Sequence, residues 1–420
     1  MRDFIQKLTP QFLLNLYYQF WPFLGAVIYG FSSRKIKVIG VTGTTGKTTV
    51  VHMISDILEN AGYRVASISS LRFKIGDREW KNMLKMTMPG RMKVQKFLRD
   101  AVNSDCQYAV LEVTSEGIKQ ARHKFIDFEL AVFTNLKPEH IERHGGFLNY
   151  KKAKGELFKI AKAAVINFDD EYAEYFSNLC GGKKYGYSLK SNNFNLKLFL
   201  PGEFNLSNAL AAASACLAQG LDTGVIKRTL ENFKGVPGRM EVVVKEPFTV
   251  IVDYAHTPDA LEKVYQTIKE AYKLKVPTPT SVHGRDSDRS VGAKSYQLVC
   301  VLGAAGGGRD KWKRPEMGRI AAQHCDQIIL TDEDPYDEKP EEIIDDIEAG
   351  ITSYQLPVTS YERVIDRREA IEKALQIARP NDVVIITGKG AEPMMMTKDG
   401  PVPWDDREIV REEFARLNLR

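Results

Sequence analysis

A short run of glycine, threonine and lysine, Gly43-Thr44-Thr45-Gly46-Lys47-Thr48-Thr49, has the residue types needed to hold a nucleotide phosphate. Small residues let backbone N–H groups close on phosphate oxygens; Lys47 would reach the β/γ-phosphates and the Thr48 hydroxyl would sit on Mg2+. A β-branched stretch with Ile36, Val38, Ile39 and Val41 precedes the run, and the helix-like VVHMISDILENAG follows it. The first glycine of the pattern G-x-x-x-x-G-K-[ST] falls on Val41, and Gly43 supplies the small residue inside the loop instead. A Gly/Thr turn that binds nothing is the competing reading, and the flanking strand and helix weigh against it.

Further polar groups stand where such a site would need them. Glu112 ends the apolar run Tyr108-Ala109-Val110-Leu111, as a carboxylate directed at a metal or water would. An ordinary edge carboxylate would look the same. His140 and His144, in PEHIERHG, follow another apolar run and are candidates for a metal ligand and a loop-fixing residue. A lone histidine is more often structural, so spacing alone does not settle these two.

These groups need a frame. Apolar runs at Tyr63–Ile68, Tyr108–Val113 and Leu130–Phe133 alternate with helical patterns, among them Arg91–Val102 and the Ala-rich Leu206–Ala218. Near-continuous apolar strands alternating with helices predict a mostly parallel sheet covered on both faces, hence an α/β fold. The segment from Ser69 through Lys81 reads as polar connection. A Pro/Gly cluster at Val236–Gly238 marks a boundary. Beyond it a second α/β pattern has strands at Leu298–Leu302, Gln327–Thr331 and Asp382–Thr387, with glycine loops at Gly303–Gly308 and Gly388-Lys389-Gly390. The expected organisation is an apolar aromatic segment (1–34), a central P-loop domain (35–237) and a C-terminal Rossmann-like α/β domain (238–420) with a polar insertion near 275–296.

Composition narrows the class. The 420 residues are 43% hydrophobic and 27% charged with a net charge of +5, ordinary for a globular chain, and no dense Lys/Arg run supports a nucleic-acid partner. The five cysteines have no C-x-x-C pair, so they are expected to be isolated, reduced and buried, in a cytoplasmic protein. From Leu8 to Ser33 no charged residue occurs, and the core of that run is FLLNLYYQFWPFLGAVIYGF. Asn15, Gln19, Pro22 and the crowd of Tyr, Phe and Trp suit a membrane interface or a partner surface better than a bilayer centre, with packing onto the protein's own body as the alternative. The run does not read as a signal peptide, because export would separate a nucleotide site from ATP and no clear A-x-A site follows.

TGTTGKTT at Thr42–Thr49, TMPG at Thr87–Gly90, LEVTSEG at Leu111–Gly117, VFTNLKPEHIERHG, NYKKAKGELF and GEFNLSNALAA follow one another. GRMEV, DYAHTPDALEKV, GGGRDKWKRPEMG, LTDEDP and TGKGAE continue the series. In this order the chain from about residue 35 to its end resembles the Mur ligases, most closely the UDP-N-acetylmuramoyl-tripeptide synthetases. The resemblance implies ATP-dependent amide formation in peptidoglycan precursor synthesis. A substrate carboxylate takes the γ-phosphoryl group, and the amino group of an amino acid displaces phosphate from the acyl phosphate. It implies ATP and two Mg2+ ions as cofactors, and a nucleotide-sugar peptide and an amino acid as small-molecule substrates.

The resemblance also assigns residues. Gly43 to Thr49, Asn135, Asn208, Arg239, Asp253 and His256 match nucleotide-binding positions, and Asn205 lies near them. Thr48, Glu112, His140 and Lys154 match metal-binding ones, with Lys154 the lysine that the family carbamylates. Lys47, His140, Lys154 and Arg239 match the catalytic set. Thr87, Thr114, Ser115, Arg122, Arg309, Asp332, Asp334, Gly388 and Glu392 match substrate-binding positions. Two mobile domains closing over ATP would fit the boundary near Gly238.

The departures from the family pattern are specific. The usual N-terminal UDP-binding domain has no counterpart ahead of the loop. The family's S-S-H reads Thr114-Ser115-Glu116, the arginine of D-N-P-R is replaced by Tyr336, and G-K-G-H-E reads Gly388-Lys389-Gly390-Ala391-Glu392. Diaminopimelate, lysine or another amino acid therefore stays open. So does a related ligase of folylpolyglutamate type with another acceptor, or a P-loop ATPase without ligase chemistry.

Overall fold

The computed structural model describes residues 11–84, 86–191, 194–273, 296–353 and 360–418. The polar insertion near 275–296 lies, but for Tyr296, outside the described residues, as do the first residues of the apolar segment. Two compact units divide the chain, Met1–Lys234 and Gly235–Arg420.

In the first unit eight strands form one sheet: β1 (Lys37–Thr42), β2 (Val65–Ile68), β3 (Arg72–Ile75), β4 (Arg78–Lys81), β5 (Tyr108–Glu112), β6 (Phe128–Phe133), β7 (Ala163–Asn167) and β8 (Lys183–Tyr187). They lie in the order β4-β3-β2-β5-β1-β6-β7-β8. From β2 to β8 the pairing is parallel, which requires apolar side chains on both faces, and Val38, Ile39 and Val41 of β1 are fully buried. The chain crosses from β5 to β6 on opposite sides of β1, so β1 sits where the winding reverses. In open α/β sheets such a reversal leaves a crevice beyond the carboxyl ends of the strands. Thr42, Glu112 and Phe133 are those ends.

The polar stretch after β2 is not a plain connection. It folds into the antiparallel strands β3 and β4, which extend the sheet at its edge. Alternation in Arg72-Phe73-Lys74-Ile75 carries this, with Phe73 and Ile75 turned inward and the charged residues paired at the rim. The Glu203–Ala218 helix packs on the Lys47–Asn60 helix through its alanines, of which Ala209, Ala211, Ala212 and Ala213 are fully buried. Small side chains let that helix come close to the one that starts at the loop.

The apolar N-terminal run forms a helix, Gln11–Ile28, continuous through Pro22. It packs on the Arg91–Asn103 helix. Among the described residues no helix is long and apolar enough to cross a membrane.

The second unit has a six-stranded sheet in the order β13-β12-β11-β14-β10-β9. Its strands are β9 (Glu241–Val244), β10 (Thr249–Val252), β11 (Leu298–Leu302), β12 (Gln327–Leu330), β13 (Ser360–Arg363) and β14 (Val383–Ile386). All pairs but β9–β10 are parallel. Arg367, fully buried, makes a two-pronged pair with Asp406 at 2.9 and 2.8 Å and donates to the carbonyls of Thr387 and Asp332 at 2.7 and 3.1 Å. Such a fork satisfies a charge that burial would otherwise make costly, and here it ties the ends of β12 and β14 together.

One expectation fails. Cys300 and Cys325 are joined by a disulfide, with their Cα atoms 6.1 Å apart. Isolation in sequence did not mean isolation in space, because the Lys313–His324 helix returns Cys325 to the strand that carries Cys300. Cys106, Cys180 and Cys216 are free and buried.

Candidate active site

The loop after β1 is built by close approach. Gly43 has φ +153°, and a Cβ there would fall 1.9 Å from Thr134 Oγ1; Gly46 has φ +81°, and a Cβ there would fall 2.2 Å from Asn208 Oδ1. Only glycine fits either position. Thr44 N donates to the Asn135 carbonyl at 2.8 Å, Thr45 N to Asn135 Oδ1 at 3.0 Å, and Thr134 Oγ1 to the Thr45 carbonyl at 2.7 Å. The Thr44 hydroxyl lies 3.0 Å from the Tyr150 hydroxyl and accepts from Lys137 N at 2.9 Å. The loop is held from outside by the segment after β6 and by the Glu203–Ala218 helix, so its shape is set before any ligand arrives.

Two lysines belong to this loop. Lys47, the first residue of the following helix, folds back to donate to the Thr44 carbonyl at 2.7 Å. Lys154, on the Phe147–Ile160 helix, donates to the Gly43 carbonyl at 2.5 Å and lies 4.6 Å from the centre of the Tyr150 ring. Lys154 is 2% exposed. Burial, reinforced by the charge of Lys47, pushes its ammonium well below the usual lysine range. Its amine gives up a proton more readily than an exposed lysine, and it lies against the carbonyl of the loop.

At the carboxyl end of β5 the Glu112 carboxylate accepts from the Thr48 hydroxyl at 2.9 Å and from Ser70 N at 3.0 Å. The Ser70 hydroxyl lies 2.9 Å from that of Thr48. Thr49 is buried on the same first turn. Among the described residues no three His, Cys, Asp or Glu side chains group as a metal cage. A hydroxyl beside a carboxylate nonetheless fits Mg2+, a hard cation that takes oxygen ligands, keeps waters and completes its shell with substrate phosphates. His140 has φ 54°, its Nε2 stands 3.7 Å from Glu139 Oε1, and its ring centre is 6.4 Å from that of Tyr150.

The remaining first-unit candidates surround this core. Thr114 caps the Ser115–Lys119 helix, accepting from Gly117 N. Ser115 Oγ lies 3.1 Å from His144 Nε2, and burial lowers the His144 pKa to about 4, so the ring is neutral there. Arg122 is held by the Met88 carbonyl and by Gln120 Oε1, next to half-buried Thr87. Asn205 donates to the Pro201 carbonyl at 2.7 Å.

The second unit gathers its own candidates. Asp253 follows β10 and accepts from Met240 N and Ala255 N, both at 2.7 Å; burial raises its pKa against the pull of Arg239. It thus fixes the turn that presents Arg239, whose guanidinium lies 3.8 Å from the centre of the Tyr254 ring. The Tyr254 hydroxyl donates to Glu392 at 3.0 Å, and fully buried Lys389 bridges Glu392 at 2.7 Å and Asp334 at 2.9 Å. Asp334 also accepts from Met396 N. His256 Nδ1 lies 2.8 Å from the Tyr254 carbonyl. Gly388 has φ +107° and lies against the Glu333 carboxylate. Asp332 has its pKa raised to about 6 by burial, and Arg309 sits in the glycine loop after β11. Arg239, Tyr254, Glu392, Lys389 and Asp334 form one connected chain of contacts.

The family with the description Mur ligase middle domain matches residues 41–195, and Mur ligase, glutamate ligase domain matches 238–294 and 286–390. The chain belongs to the Mur ligase family. It is 38% identical over 416 residues to a UDP-N-acetylmuramoyl-L-alanyl-D-glutamate–2,6-diaminopimelate ligase of Clostridium tetani, covering 93% of this chain and 80% of that one. A solved structure of a ligase with the same name is 30% identical, with 91% of this chain and 79% of that chain covered and a TM-score of 0.57. A Mycobacterium tuberculosis folylpolyglutamate synthase complexed with ADP shares the fold at 16% identity, with 95% and 94% covered and a TM-score of 0.67.

The structure of this Mur ligase brings Gly43 to Thr49, Glu112, Asn135, Lys154 and Asn208 together in the first unit, and Arg239, Asp334 and Glu392 together in the second. Asn135 and Asn208 shape the loop, and Asp253 holds the Arg239 turn. Ser70, Tyr150, Tyr254 and Lys389 were missed. A serine in a polar stretch and a lysine between two glycines carry no signal until the fold shows what they touch.

Proposed function

We propose that this Mur ligase uses ATP to join an amino acid to a carboxylate of a UDP-MurNAc-peptide-like acceptor through an acyl phosphate. The observation that carries the reading is Lys154, an amine fully buried against the carbonyl of a phosphate loop. A bare ATPase has no use for a second lysine there whose charge burial opposes. A neutral amine is the form that attacks CO2: an N–C bond forms, one proton leaves, and an anionic carbamate replaces a would-be cation. That change gives the loop a carboxylate-like group, and with His140 it would face the second of two Mg2+ ions. Thr48 and Glu112 would hold the first. The ions would neutralise phosphate charge in a reaction that brings two anions together.

The protein's own groups take the remaining roles. Backbone N–H groups of Gly46 to Thr48, with Lys47, cradle the β- and γ-phosphates. The acceptor carboxylate oxygen attacks the γ-phosphorus, the bond to the bridging oxygen breaks, and ADP leaves. The amino group then attacks the acyl carbon, loses a proton, and phosphate departs. Arg239, fixed by Asp253 and Tyr254, is a charge partner for phosphate, while Asp334, Glu392 and Gly388 contact the amino acid. Thr87, Thr114, Ser115 and Arg122 take the acceptor peptide; Arg309, Asp332 and His256 complete the second unit's site.

ATP consumption measured with UDP-MurNAc-L-Ala-D-Glu against a panel of single amino acids, diaminopimelate and lysine among them, tests this. Phosphate release that needs both acceptor and amino acid supports it. Release indifferent to both contradicts it.

A further inference from the structure

The Gln11–Ile28 helix is inside out. Its protein-facing side carries the small residues Gly25 and Ala26 together with Pro22, all buried, while Tyr17, Phe20, Phe23, Val27 and Ile28 are exposed. At 100° per residue these five fall on one continuous face. Phe20 and Ile28 are 51% and 56% exposed. A Cβ on Gly25 would lie 3.2 Å from Gln95, so the helix sits close on the Arg91–Asn103 helix by means of small residues; Tyr18, Trp21 and Leu24 are half-buried, and the five residues above are left outside. Phe125, itself exposed, extends the patch by packing on Phe23 at 5.3 Å. A helix meant to add to its own core would turn the other way.

The charges around this face are mostly basic. From Leu8 to Lys37 there is no acidic residue, and Arg34, Lys35 and Lys37 close the segment. The supporting helix carries Arg91, Lys93, Lys96 and Arg99 against Asp100 alone. Arg91 lies 4.4 Å from the centre of the Tyr18 ring at one end, and Arg99 lies beside Gly30 at the other. Exposed aromatic side chains flanked by mostly basic ones match the chemistry of an interface between lipid headgroups and acyl chains.

We propose that the outward face of the Gln11–Ile28 helix lies in the plane of an anionic bilayer surface. Tyr17, Phe20, Phe23, Val27 and Ile28 enter the headgroup boundary, and the flanking basic residues meet lipid phosphates. The protein is thereby a peripheral membrane enzyme.

Co-sedimentation of the full chain with phosphatidylcholine vesicles, with and without phosphatidylglycerol, tests this, alongside the F20S/F23S/V27S variant. The wild-type chain is expected to sediment with the phosphatidylglycerol vesicles, less with phosphatidylcholine alone, and less at high salt. The variant should lose about tenfold or more of this partition, with circular dichroism and thermal midpoint unchanged because the replaced residues are exposed. Wild-type protein left in the supernatant with anionic vesicles would overturn the proposal, as would a variant that sediments equally well. Sedimentation equilibrium covers the other occupant. A wild-type dimer that the variant dissolves, without vesicle binding, would assign the face to a second copy of this chain and also overturn the proposal.

Discussion

Lys154 Nζ donates to the Gly43 carbonyl at 2.5 Å, a contact between the buried face of one helix and the phosphate loop 111 residues earlier. If the amine is needed only to pack, Lys154→Met should preserve activity. If it is needed for carbamate chemistry, turnover should fall roughly 100-fold or more while the thermal midpoint holds. Formate or acetate should partly restore Lys154→Ala. Because burial depresses the folded-state value, the unfolded chain binds more protons between that value and the ordinary lysine range, so stability rises with pH across this window. Lys154→Met should flatten that rise in urea-melt titrations.

The Thr48–Glu112 pair predicts a dependence on Mg2+. Glu112→Gln keeps the shape and removes the charge, and the Mg2+ concentration for half-maximal ATP turnover should rise about tenfold or more. Thr48→Ser keeps the hydroxyl and should stay near wild type, whereas Thr48→Val should behave like Glu112→Gln.

Gly46 predicts a steric effect. Alanine there meets a strain of about 1–2 kcal/mol for positive φ, and its methyl would displace Asn208 Oδ1, now 2.2 Å from the Cβ position. Gly46→Ala should weaken ATP-analogue binding about tenfold or more in calorimetry. Adding Asn208→Gly should recover part of that loss, since it removes the clash and leaves the backbone strain.

His123 predicts acid sensitivity. It is 2% exposed, neither ring nitrogen has a hydrogen-bond partner among the described residues, and burial lowers its pKa to about 4. The unfolded chain binds the extra proton between the ordinary histidine value of 6.5 and about 4, so stability is full above 6.5 and falls as pH drops through that range. The loss is on the order of 3 kcal/mol. His123→Leu should flatten the acid limb of the denaturation curve.

Much of the first unit was legible in the residues. β-branched runs against helical periods gave the parallel sheet, and a strand, a Gly/Thr loop and a helix were expected around Thr48 and are found there. Glu112 could be suspected from its place at the end of an apolar run. Lys154 could not. Its sequence neighbours make it one lysine among several, and only the resemblance singled it out before the structure showed it buried. Ser70 and the β3–β4 pair were hidden because a two-residue alternation of charged and apolar side chains reads as a polar stretch. The Cys300–Cys325 pairing and the Lys389–Asp334 contact join residues far apart in sequence, which spacing along a chain does not encode. The outward face of the N-terminal helix was hidden for a related reason: composition showed an aromatic run, not which side the small residues would occupy.

The central claim is that the phosphate loop serves a ligase. The most direct test combines the full chain, ATP, Mg2+, UDP-MurNAc-L-Ala-D-Glu and one amino acid at a time, following phosphate release and product mass together. The prediction is one phosphate released per amide formed, with a new species heavier by the amino acid less water, and loss of both in Lys154→Met. Phosphate release without any such species for every amino acid, unaffected by Lys154→Met, would contradict it.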